Sequence, residues 1–277
     1  MMSGEVWTVI DVAAMERELL TGRRERLWRP FMRAVRGYGL SEPGDRIAVG
    51  ISGGKDSLLL AVMLRLLSRH YEIPFEAVPL AMDPGYLPPQ RALLEENLGL
   101  LGIECEIVPS DVFEAARIRE DHPCFMCARM RRGCLYRHAR ALGCNKLALG
   151  HHFDDVVETT LMAMLYGGQV QAMPPMLSAR SFPGMRVIRP LYRVREADIA
   201  AWRDAWGLEC LRCACALARR QGDSRRQFVK KLIADLDADN PKVSRNIFNS
   251  IHTVQMDTLV GWKHRGVPHD FRENLTE

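Results

Sequence analysis

At 277 residues, 47% hydrophobic and 26% charged, the chain has apolar material for one large core, or a core plus a smaller appendage, as in ordinary soluble globular proteins. No apolar run reaches the roughly 18 to 20 residues of a membrane span, and the opening MMSGEVWTVIDVAAMERELL carries acids and no basic-then-apolar pattern, which argues against a signal peptide and for a cytoplasmic location. A formal net charge of +4 admits an anionic partner without demanding one.

Residues 1–44 read as a helical lead-in that ends where Pro43 and Gly44 punctuate the chain. It carries RRERLWRPFMRAVR (23–36), six arginines against one glutamate, with Trp28 and Phe31 interleaved and Tyr38 just beyond. That pattern suits phosphate contact and base stacking, and it suits an amphipathic packed helix equally. Between 45 and 192 the strand-like runs DRIAVGI, FEAVPLAM, IECEIV, NKLALG and MRVIRPL alternate with helical patterns near 55–70, 88–101, 125–142 and 154–165. Near-continuous apolar strands separated by helices predict an α/β fold, a parallel sheet with helices on both faces. Residues 193–277 follow as a C-terminal segment with a helix near 195–206, a group of cysteines and a basic helical tail. In that tail RRQGDSRRQFVKK (219–231) sets six basic residues against one aspartate. Arg225 and Arg226 there are expected either to meet RNA phosphate or to cover a solvated helix face.

The first strand runs into SGGKDS (52–57) and then an apolar helix. A strand-to-helix turn points unpaired backbone N–H groups and the positive end of the helix dipole at whatever lies above it, which suits a phosphate. Gly53 and Gly54 permit close backbone approach, Lys55 adds a point charge, and Ser52 and Ser57 add hydroxyl donors. The spacing matches neither a Walker loop nor a dinucleotide fingerprint. In this position SGGKDS resembles the PP-loop of the N-type ATP pyrophosphatases. The resemblance implies an adenine nucleotide alpha hydrolase-like fold and cleavage of ATP between its α and β phosphates as a substrate oxygen is adenylated.

Four further strings, CFMCARMRRGCLYRHA, LALGHHFDD, ETTLMAMLYGGQVQAMPPM and VIRPLYRVREADI, follow in order. Each is similar to its counterpart in the tRNA 2-thiocytidine synthetases (TtcA), over about residues 24 to 255. The related 2-thiouridine synthetases of the TtuA type usually carry zinc-binding cysteine pairs at the N-terminus, whereas here no cysteine precedes Cys105. The resemblance implies that Lys55, Asp56, Asp154 and Asp155 carry the chemistry, the three acids as Mg²⁺ or water holders. Gly150 and His151, with His152 beside them, end a strand where α/β sheets bind ligands. Asp83, in PLAMDPGY, is placed beside the adenosine, although an Asp before Pro also reads as a turn former and this stretch is shorter before its glycine than in TtcA-like sequences. Arg131 and Arg132 read either as a phosphate clamp or as surface charge.

Eight cysteines stand at 105, 124, 127, 134, 144, 210, 213 and 215. Cys105, Cys134 and Cys144 read as core packing. The C-x-x-C pairs Cys124/Cys127 and Cys210/Cys213 read as a metal or cluster site, and spacing alone does not separate zinc from iron and sulfur. The resemblance implies a 4Fe-4S cluster on three cysteines with one iron left open: Cys124, Cys127 and one of Cys210 or Cys213, with Cys215 an extra thiol that is either a spare or itself the third ligand. A pyrimidine carbonyl oxygen is a poor leaving group and an adenylated one is a good one, so the expected enzyme is a sulfurtransferase that thiolates a tRNA base, cytidine C2 in the anticodon loop. It would use ATP, Mg²⁺, the cluster, and sulfur from a cysteine desulfurase or sulfide, with homodimers common in the family. The alternatives are a PP-loop sulfur transferase for another base or a small molecule, a lysidine-type ligase, and a non-enzymatic RNA-binding metal or cluster scaffold.

Overall fold

A run in which every residue after Arg46 is buried, Arg46–Ile51 (β1), forms a central strand, as expected of an apolar segment covered on both faces. The computed structural model describes residues 10–70, 72–110, 112, 123–211 and 224–275. Among them β1 is joined by β2 (Glu76–Asp83), β3 (Glu106–Pro109), β4 (Lys146–Ala148), β5 (Met176–Ser178) and β6 (Arg186–Ile188). The spatial order is β3-β2-β1-β4-β6-β5. All neighbours run parallel except β5, which pairs antiparallel with β6 at the edge. The five strands read from the sequence are present. β5 is the addition, three residues following Pro174 and Pro175, too short to leave an alternating pattern.

Ahead of the sheet lie α1 (Val12–Leu20), a π-helical turn (Arg24–Trp28) and α2 (Arg29–Gly37). The connections between strands carry α3 (Lys55–His70), α4 (Pro88–Leu100), α5 (Pro123–Ala141) and α6 (Phe153–Gly167), and α7 (Glu196–Ala205) follows the last strand of the sheet. The tail holds α8 (Ser224–Asp239) and α9 (Val243–Ser250), then a hairpin of β7 (Gly261–His264) and β8 (Val267–Asp270) where helix was expected. No helix among the described residues is long and apolar enough to cross a membrane.

One apolar core takes in Met15 and Phe31 from the lead-in, Leu58 and Leu59 from α3, Trp202 from α7 and Phe248 from α9. Phe31 is fully buried and Trp28 leans on it with ring centroids 5.5 Å apart. Tyr38 meets Tyr192 edge-on at 5.3 Å, and its hydroxyl lies 2.9 Å from His252 Nε2. These aromatics therefore serve the packed-helix reading, with Phe31 sealed away from any RNA base. Arg23, Arg26 and Arg29 pair with Glu18, Asp198 and Glu25, which neutralises part of the first basic run.

Candidate active site

Strand order reverses between β1 and β4, because β1 leads to β2 on one side while β4 begins the other half. The carboxyl ends of the two strands open into one crevice. The loop 52–54 leaves β1 there and α3 starts at Lys55. Gly53 has φ +75°, and a Cβ on it would come within 2.6 Å of Leu211 Cδ1, so both the left-handed backbone and the close approach of the Leu211 side chain favour glycine. Gly150 at the end of β4 meets the other side of the turn, where a Cβ would lie 3.0 Å from the Asp56 carbonyl carbon. Ser57 is buried and its hydroxyl braces the loop, accepting from the Ser52 N–H at 3.1 Å and donating to the Gly54 carbonyl at 2.9 Å. Ser52 stays exposed on the rim.

Lys55 Nζ lies 3.0 Å from Asp56 Oδ1 and 3.0 Å from Glu196 Oε1. Burial works to lower the lysine pKa, but the two carboxylates outweigh it and the pKa is raised. Glu196, the first residue of α7, also receives Lys230 of α8 at 2.5 Å. Burial opposes its ionisation, yet hydrogen bonds from Lys230 and Lys55 and their charges bring its pKa down to about 2. Asp154 is engaged from the same side: its Oδ2 accepts the Glu196 N–H at 2.6 Å and its Oδ1 lies 3.1 Å from Arg195. His152 caps α6, with Asp155 Oδ2 accepting the His152 N–H at 3.0 Å while Asp155 Oδ1 takes Arg226 at 2.6 Å.

Two cavities share Asp56 and Glu196 as a common wall. The larger, about 740 Å³, is lined by Gly54, Lys55, Arg203 and Cys210 as well. The smaller, about 350 Å³, adds His152, Asp155, Glu158 and Arg226. Asp56 and Asp155 thus reach one opening, whereas Asp154 lines neither cavity. Among the described residues no group of three or more His, Cys, Asp or Glu comes together to hold a metal ion. His151 Nδ1 is sealed from solvent with no partner among the described residues. Burial first, then the Arg189 guanidinium, pulls its pKa down to about 4, so the imidazole is neutral near pH 7.

Asp83 builds a turn. Its Oδ1 accepts the N–H groups of Gly85 and Tyr86 at 2.9 and 2.7 Å, and its Oδ2 lies 2.9 Å from Arg91. Burial pushes its pKa up, but these bonds prevail and hold it below the usual carboxylate value. The turn brings the Tyr86 hydroxyl to 3.3 Å from the Ser52 carbonyl, which puts a tyrosine beside the loop where the sequence pointed to Asp83 alone.

Cys134 and Cys144 are buried and Cys105 is half-buried against the core. Burial raises all three thiol pKa values, that of Cys105 to about 11, as packing cysteines should behave. Cys124 and Cys127 fall in the first turns of α5, but their side chains lie outside the described residues, and so do Cys213 and Cys215 entirely. Cys210 is half-buried in the larger cavity, where burial raises its pKa against the pull of Arg203. Its segment is fixed on both flanks: the buried Asn97 amide donates to the Glu209 carbonyl at 2.6 Å, and the Leu211 N–H donates to the Gly53 carbonyl at 2.9 Å.

Residues 219–223 of the second basic run also lie outside the described residues. Arg226 pairs with both Asp155 and Glu158, so it belongs to the crevice and is not a purely solvated or phosphate-facing cation. Arg225 lies over the Tyr166 ring at 5.2 Å. Sequence reasoning passed over Glu196 and Asn97. An acid in the first turn of a helix reads as pairing with the helix dipole, and a lone Asn within a helix carries no signal of its own.

A family model described as a PP-loop domain matches residues 27–211. The tRNA-cytidine(32) 2-sulfurtransferase of Anaeromyxobacter dehalogenans strain 2CP-C is 37% identical over 244 residues, covering 87% of this chain and 83% of the relative. The enzyme of that name from Syntrophotalea carbinolica is 39% identical over 240 residues, covering 83% and 91%. The U34-tRNA thiolase NcsA from Methanococcus maripaludis, solved with its [4Fe-4S] cluster, superposes with a TM-score of 0.63 at 22% identity, over 81% of this chain and 77% of that one, and shares the fold. With the loop, the strand order and these identities in agreement, the chain belongs to the PP-loop family and, within it, to the TtcA family of sulfurtransferases.

Proposed function

We propose that this sulfurtransferase acts on tRNA, adenylating the C2 carbonyl oxygen of a cytidine in the anticodon loop with ATP and then replacing it by sulfur. The observation that carries the reading is that a phosphate-type loop and a cysteine line one cavity, with Lys55 and Cys210 on the same wall system at the switch point of the sheet. The first N–H groups of α3 and the Lys55 ammonium receive the phosphates, and the glycines at 53 and 54 let them come close. Asp56 suits Mg²⁺, which is commonly held by one or two carboxylates together with substrate phosphate, and so needs no cluster of three protein ligands. When bound, the ion offsets charge as pyrophosphate leaves. Asp155 orders the entry to α6 from the second cavity, and Asp154 orders α7.

The thiol of Cys210 fits a cluster ligand by its chemistry and by its place beside the loop. Cys124, Cys127 and Cys210 would hold a 4Fe-4S cluster, with Cys213 or Cys215 in place of Cys210 as the variant of that set. When bound, the cluster supplies a site for the incoming sulfur, which comes from sulfide or a cysteine desulfurase. The working enzyme in this reading is a cytoplasmic homodimer. The test is anaerobic purification followed by incubation with tRNA, ATP, Mg²⁺ and sulfide, reading iron content, pyrophosphate and AMP release, and the modified nucleoside by mass spectrometry. Thiocytidine formed together with tRNA-dependent pyrophosphate is the expected result. ADP in place of AMP, or a zinc-containing and iron-free protein that still thiolates, would overturn the corresponding part.

A further inference from the structure

One carboxylate serves both the loop lysine and the basic helix. Glu196 Oε1 lies 3.0 Å from Lys55 Nζ and Oε2 lies 2.5 Å from Lys230 Nζ on α8. The position of Glu196 is fixed from behind, because its backbone N–H donates to Asp154 Oδ2 at 2.6 Å. Asp154 is itself held by Arg195 at 3.1 Å, whose guanidinium lies 4.7 Å from the Phe153 ring centre. Glu196 also separates the two cavities. A negative group in that wall repels an anionic ligand, so its contribution must lie elsewhere. Lysine is a compact charge on a flexible four-carbon stem, and it acts at one point only when something restricts the stem.

We propose that Glu196 is a positioning residue: it fixes the Lys55 ammonium at the mouth of the loop at some expense of ATP affinity, and Lys230 sets how firmly it does so. The inference rests on the reading of the loop as an ATP site. Because the two lysines share one carboxylate, drawing Lys230 away leaves the full charge of Glu196 to Lys55 and holds that lysine back from phosphate. Basic helix and nucleotide loop are thereby coupled through a single side chain.

The test compares MgATP binding with single-turnover, tRNA-dependent pyrophosphate release for anaerobically purified full-length protein. Glu196→Gln removes the repelling charge and the restraint together, so ATP should bind about threefold to tenfold more tightly. Release at saturating ATP should slow by about tenfold to a hundredfold. That opposite movement of affinity and rate is what a merely structural residue would not give. Lys230→Gln should weaken ATP binding by about twofold to fivefold alone and should have no effect in the Glu196→Gln background, the mark of action through the shared carboxylate. Weaker ATP binding in Glu196→Gln, an unchanged rate, or the same Lys230→Gln effect in both backgrounds would overturn the proposal. If Glu196→Gln does not fold, Glu196→Asp keeps the charge and shortens the reach: slower release at unchanged affinity supports the role, and an unchanged rate refutes it. Wild-type protein that binds no ATP and releases no pyrophosphate would instead sink the ATP-site reading.

Discussion

Lys55 is the residue on which the charge of the crevice turns, since its side chain is only 17% exposed and stands between Asp56 and Glu196. Replacing it by alanine removes the one cation of the loop and leaves two carboxylates facing the phosphates. Lys55→Ala should therefore cut tRNA-dependent pyrophosphate release by about 10²- to 10³-fold, the scale of losing one preorganised charge-stabilising group. Iron content should stay at the wild-type level. Pyrophosphate release with an iron assay on the same preparation checks both, and full release would remove the loop from the mechanism. What made Lys55 legible is that SGGKDS is contiguous, so its chemistry can be read from one turn. Glu196 lies 141 residues further on, and no local pattern joins it to Lys55. The same distance hid that Asp154, expected among the Mg²⁺ or water holders, also accepts the first N–H of α7.

At the scale of elements, long periodic segments were readable and short or unpartnered ones were not. The helices starting at Lys55, Pro88, Phe153 and Glu196 begin within a residue or two of their expected places. The terminal hairpin escaped because its turn, Arg265 and Gly266 with φ +52° and +85°, uses Arg where Asn or Asp would have signalled a hairpin, and Pro268 reads against a strand. The cysteine segment after α7 could be placed in sequence, but its seat on the loop depends on α4. Asn97, buried in α4, holds the Glu209 carbonyl, next to Cys210. Asn97→Ala should leave that carbonyl without its donor, costing about 1 to 3 kcal/mol. It should also free the segment locally, so that alkylation of Cys210 in the metal-free protein, followed by peptide mass spectrometry, speeds up more than alkylation of Cys144. Equal acceleration at both cysteines would mean that the loss is global and that Asn97 does not specifically seat this segment.

Across the whole molecule the two edges of the sheet are divided between function and stability. Loop, cavities and Cys210 gather at the carboxyl ends of the strands. At the opposite edge, where β1 and β4 begin, Lys146 is 1% exposed and reaches Asp45 Oδ2 at 2.7 Å, the Leu40 carbonyl at 3.2 Å and the exposed Glu42 at 3.4 Å. Asp45 also accepts from the Asn145 amide at 2.7 Å and from the Glu42 N–H at 2.6 Å. This cluster fastens the segment that follows α2 to the sheet. Burial pushes the Asp45 pKa up, but the hydrogen bonds from Lys146, Asn145 and the Glu42 N–H and the Lys146 charge outweigh it, so the folded pKa lies below the ordinary value. A carboxyl so depressed contributes stability above its unfolded pKa, and that contribution is lost as pH falls through the folded one. Asp45→Asn puts a neutral amide where the buried ammonium had its carboxylate, leaving the exposed Glu42 as its nearest counter-charge, and should destabilise the protein by about 3 kcal/mol at pH 7. The gap between wild type and variant should begin to shrink as pH falls past the ordinary carboxylate pKa of about 3.9 and should close only below the depressed folded pKa, where the wild-type carboxyl is neutral as well. Urea unfolding at several pH values measures it, and ATP binding by the folded variant should be unchanged because the cluster lies across the sheet from the loop. A gap that stays constant down to pH 3 would show that Asp45 stabilises the fold by packing and neutral hydrogen bonds and not by its charge.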